Sequence, residues 1–122
     1  MKLFIILGAI NAFIAVALGA FGAHGLEGRI PDKYLETWKT AVTYQMFHAT
    51  GLMIIALVSG KIGGPLMTWS GWLMFIGIIL FSGSLFVLSV TQIKILGAIT
   101  PLGGVSFLAA WVLFIVAVYK NL

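Results

Sequence analysis

Formal charges divide the chain into four long apolar stretches. Residues 3–26, 40–60, 62–93 and 95–119 contain no Asp, Glu, Lys or Arg. Crossing about 30 Å of hydrocarbon takes roughly 20 apolar residues in a helix, so each stretch can span a bilayer. Trimming them at turn residues predicts transmembrane helices near 3–22, 40–59, 67–89 and 102–119. The expected fold is all-α: an integral membrane four-helix bundle forming a single membrane domain over 1–122. Lys2 and the Ala17-Leu18-Gly19 run resemble a secretory signal with its cleavage site, but three further spans downstream favour an uncleaved first helix.

Punctuation at the ends agrees. The third span follows Gly63-Gly64-Pro65, and Trp69 and Trp72 suit an interfacial belt. In the fourth, Thr100 is expected to act as N-cap with Pro101 at the first helical position. Tyr119 and Lys120 close it at the other interface.

Between the first two spans lies a short amphipathic, polar segment, 27–39, with all three acids (Glu27, Asp32, Glu36). From Pro31 onward it reads as helix, with Leu35, Trp38 and Val42 spaced for one face. A helix lying on the membrane and a water-exposed extension of the second span both fit this pattern.

Composition strengthens the membrane reading and removes several alternatives. Hydrophobic residues make up 61% of the chain, charged residues 8%, and the mean hydropathy is +1.16; soluble domains carry about 25% charged residues. The net charge of +4 comes from seven scattered basic residues. With no cluster to track a phosphate backbone, no nucleic acid is expected as a partner. Membrane lipids are, since scattered cations suit anionic headgroups. Absence of cysteine removes disulfides, thiolate nucleophiles and cysteine-ligated metals. Basic residues divide three (Lys2, Lys61, Lys120) against four (Arg29, Lys33, Lys39, Lys94) across the membrane, which leaves orientation open.

Lipid offers no hydrophobic drive between helices, so association relies on close approach and a few polar bonds. In the first span Gly8, Ala15 and Gly19 present small residues, and Asn11 is expected to bond a neighbouring helix. Gly83 is assigned the same packing role in the third span. A chain this small has little interior of its own, which favours a homo-oligomer.

Candidate chemistry centres on two histidines. Thr40, Tyr44 and His48 follow at intervals of four with Gln45 alongside, so one face of the second helix is polar for about two turns. That face is either a proton or ligand site with His48 as its titrating group, or a hydrogen-bonded stripe locking helices with His48 neutral. His24 sits among glycines at the exit of the first helix, beside Glu27. The candidate polar cluster is therefore His24, Glu27, Tyr44, Gln45 and His48. Antiparallel packing puts the two histidines about 10 Å apart along the axis, too far for one metal, and no metal or other cofactor is expected. Ser82 and Ser84 lack a complete G-x-S-x-G elbow and read as packing serines. No catalytic residues are assigned.

Four blocks carry a resemblance: GAFGAHGL at 19–26, WKTAVTYQMFH at 38–48, LFSGSL at 80–85 and LGAITPLGG at 96–104. Nearly end to end, the chain resembles the small bacterial inner-membrane family of unknown function typified by YgdD and YwdK, which has small eukaryotic transmembrane relatives. The resemblance implies a multi-pass protein of the bacterial plasma (inner) membrane; it supplies no established activity, substrate or catalytic residues and names no small-molecule ligand. The functional expectation is an oligomeric, non-enzymatic component interacting with lipid or protein. The alternative is small-solute or ion transport along the polar stripe of the second helix.

Overall fold

The computed structural model describes residues 2–121. Four helices are long and apolar enough to cross a membrane: α1 (Lys2–Leu26), α2 (Asp32–Ser59), α3 (Pro65–Thr91) and a fourth span, Lys94–Asn121. Within that last span the α-helix proper, α4, is Thr100–Asn121, entered through a 3-10 turn at Lys94–Ala98. No strand occurs among the described residues. The predicted all-α, four-span architecture is the one observed.

Each span exceeds its predicted length, because charged and turn residues were used as boundaries whereas helical backbone continues through them. The polar segment resolves into two parts. Residues from Asp32 join α2 without a break, so the segment is an extension of the second span rather than a separate helix. Before it, α1 ends in a π-helical turn, Gly22–Leu26, and the chain reverses at Gly28, whose φ of 80° lies in the left-handed region.

The central helix is α2. It packs along α1 on one side and against α3 on another, while α3 packs along α4. One apolar core joins Phe4, Leu52, Ile55, Met74, Ile78 and Phe107; a smaller one holds Leu26, Leu35 and Trp38 near the polar end. Close approach depends on particular glycines. A Cβ at Gly8 would lie 2.5 Å from the Met53 side chain and 2.9 Å from the Ala49 carbonyl. At Gly103 it would collide with the backbone of Phe81, so α4 crosses α3 in contact at that point. Gly83 requires a correction: a Cβ there would meet nothing within 4 Å, so it makes no close helix contact.

Serines fasten α3 to its neighbours. Ser70 donates to the Ala110 carbonyl and Ser106 to that of Leu73, both at 2.7 Å, a reciprocal pair between α3 and α4. Ser82, in the π-helical stretch Ile78–Gly83 of α3, donates to the Ala41 carbonyl of α2 at 2.8 Å. Thr100 departs from the expected cap. Its hydroxyl shares a 2.6 Å hydrogen bond with that of Ser84, tying the head of α4 to α3 instead of capping its own helix.

Candidate functional site

Polar side chains on α2 are drawn in different directions by the helix geometry. A step of four residues turns a helix by about 40° beyond a full turn, so Thr40, Tyr44 and His48 fan out over about 80°. Thr40 is exposed and bonds its own helix at the Glu36 carbonyl. Tyr44 is 41% exposed, its ring against Phe81 with centroids 4.5 Å apart. His48 is buried at 4% exposure and faces α4; Gln45, at 5%, faces α1.

His48 has a partner at each ring nitrogen. The Trp111 indole N–H donates to Nε2 across 3.1 Å. Nδ1 lies 2.9 Å from the Tyr44 carbonyl, which can only accept, so Nδ1 carries the proton. Both partners are satisfied by a neutral imidazole protonated at Nδ1. One ring face stacks on Phe107 at 3.5 Å between centroids and 9° between planes. The backbones of α2 and α4 are not in close register here, and the His48, Phe107 and Trp111 rings fill the space between them.

A second polar pair ties α1 to α2. Asn11 donates through Nδ2 to the Leu7 carbonyl at 2.9 Å, which turns Oδ1 toward α2, where Gln45 Nε2 donates to it at 3.1 Å. This chain of bonds orients both amides. It leaves Gln45 Oε1 as a buried acceptor without a hydrogen-bond partner.

The remaining candidates lie elsewhere. His24, on the π-helical turn, and Glu27, just after it, are exposed. The rings around His48 are those of Tyr44, Phe47, Phe107 and Trp111, so His24 does not join it. The structure brings Gln45 to Asn11, and Tyr44 to His48, without gathering the five into one cluster. Ala15 is fully buried, and Gly19 faces Val42. No group of three or more His, Asp or Glu capable of holding a metal occurs among the described residues.

Sequence reasoning missed Trp111 altogether and, for Trp38, saw the apolar face but not the bond it makes. Trp111 looks like any membrane tryptophan until its partner, 63 residues away, is known. Trp38 inserts beside Gly22 and donates its indole N–H to the Leu18 carbonyl at 2.8 Å, clamping the exit of α1 to the start of α2; its proximity to the GAFGAHGL glycines depends on the loop reversal.

Comparison with known proteins identifies the family. Residues 18–104 match the family described as "Protein of unknown function (DUF423)". The chain belongs to this family. It is 64% identical to the UPF0382 membrane protein YwdK of Bacillus subtilis, over the full length of both chains. UPF0382 membrane proteins of Staphylococcus epidermidis and Staphylococcus aureus are 56% and 58% identical, over 98% of each chain. No solved structure matches. Like these relatives, this DUF423 chain is a membrane protein, and its own structure carries four candidate spans.

Proposed function

We propose that the protein is a non-enzymatic component of the bacterial plasma membrane that self-associates and acts through contacts with lipid or protein in the bilayer. One observation carries this reading: the most functional-looking side chain at membrane depth, His48, is bonded at both ring nitrogens and stacked on Phe107. A ring held this way fastens α2 to α4. Ser70, Ser82 and Ser106 serve similar ends, each donating to a carbonyl of a neighbouring helix, and Ser84 shares a bond with Thr100. An all-α bundle suits the plasma membrane, since outer-membrane proteins of bacteria are typically β-barrels.

A solute or ion pathway along α2 draws on a different observation, the unpartnered Gln45 Oε1 at membrane depth. Liposomes holding the purified protein separate the two readings. Leakage of ions, protons and small solutes equal to that of empty liposomes is the expected result; flux that Gln45→Leu abolishes would establish the pathway instead. Chemical cross-linking in the same liposomes is expected to yield defined multiples of the chain.

A further inference from the structure

The outer face between α2 and α4 carries a groove of about 470 Å³ bordered by Tyr44, His48, Pro101, Gly104, Leu108 and Trp111. Its walls are almost entirely apolar, because His48 turns its nitrogens to Trp111 and Tyr44 and its ring face to Phe107. Beside Gly104 the space is open: a Cβ there would come no nearer than 4.0 Å to Phe81.

We infer that this groove seats one acyl chain of an anionic phospholipid, an inference that rests on the contact-based reading above. Length is the first argument. From Pro101, at the head of α4, to Trp111 the helix rises about 15 Å, half of the roughly 30 Å hydrocarbon core. A chain from one leaflet fits that depth, whereas a helix of a second copy would run the full thickness. Size is the second. Eight residues line the groove, against about 20–30 a side in a stable protein interface.

Charge on the side of the membrane where α4 begins bears on the headgroup. Lys94 precedes α4 on the membrane side where the groove begins, is exposed, and makes no ion pair among the described residues. Lys39 lies on the same side with Glu36 3.5 Å away. The other charges there, Glu27, Asp32, Arg29 and Lys33, belong to the α1–α2 turn and the start of α2. An exposed cation on the turn that leads into α4, whose first residues border the groove, matches a phosphate headgroup.

Native mass spectrometry of the full chain, after reconstitution with an equal mixture of phosphatidylglycerol and phosphatidylcholine and extraction in mild detergent, tests the proposal. Wild type is expected to retain one phosphatidylglycerol per chain. Gly104→Leu, which fills the groove, and Leu108→Trp, which narrows it from a rim position that is 68% exposed, are expected to lose it. Gly83→Leu, where a Cβ meets open space, is expected to retain it. Leu108→Trp keeps the test decisive if Gly104→Leu does not fold. No retained lipid in wild type, equal retention by both groove variants, or equal retention of the two phospholipids would overturn the assignment, as would a dimer that Gly104→Leu dissociates. Lipid retention is read without solute flux, so its failure leaves the liposome test of the parent reading untouched.

Discussion

Trp111 on α4 donates its indole N–H to Nε2 of His48 on α2 across 3.1 Å, joining two helices whose backbones stand apart. Hydrogen bonds between membrane helices contribute about 0.6 kcal/mol on average and reach about 1.7. A double-mutant cycle of Trp111→Phe and His48→Leu, followed by unfolding in mixed detergent micelles, is expected to return a coupling energy in that range. Strictly additive effects would show that the bond contributes nothing to stability.

The amide pair predicts an unusual order of stabilities. Asn11→Leu strands the whole Gln45 amide in the interior, and a buried unpaired polar group costs about 1–3 kcal/mol. Gln45→Leu leaves only Asn11 Oδ1 unpaired and also removes the unpartnered Oε1. The double variant removes both groups. Asn11→Leu is therefore expected to be the least stable of the three, with stability partly recovered when Gln45→Leu is added; the same unfolding assay reads this directly.

Glycines of equal helical geometry are expected to respond in opposite ways to alanine. At Gly103 the added Cβ strikes the Phe81 backbone, which cannot swing aside; overpacking of this kind costs about 1–3 kcal/mol or more. Gly83 has ordinary helical angles and open space, so Gly83→Ala is expected to gain up to about 1 kcal/mol from helix propensity. Gly22→Ala is intermediate. Its Cβ would lie 2.5 Å from the Trp38 ring, displacing the indole from the Leu18 carbonyl, an effect visible as a shift in tryptophan emission.

His24 and Glu27 are exposed and stand apart from His48. Single alanine substitutions there are expected to change stability by no more than about 0.5 kcal/mol, as is usual for surface positions. Larger losses in thermal unfolding would reveal a contact beyond the single chain.

Much of the architecture was legible because lipid imposes a simple rule: runs of about 20 uncharged apolar residues become spans. The rule cannot see where helical backbone continues past charge. Helix α2 thus begins at Asp32 rather than near residue 40. The Thr40–Tyr44–His48 pattern suggested one face, yet the drift of each four-residue step sends Thr40 outward and His48 inward. Asn11 could be recognised as needing a partner on another helix, and that partner is Gln45. His48's partner, Trp111, could not be recognised, because no spacing rule links side chains on α2 and α4. The π-helical stretches in α1 and α3 leave no mark in hydrophobic periodicity.

The central claim is that His48 is a neutral fastening between α2 and α4. Nitrogen-15 solid-state NMR of His24→Gln protein in bilayers at neutral pH isolates this one imidazole. A single neutral ring with its proton on Nδ1, and Nε2 bare and coupled to the Trp111 indole N–H, is the expected spectrum. A proton on Nε2, or on both nitrogens, would contradict the claim and return His48 to consideration as a proton-carrying group.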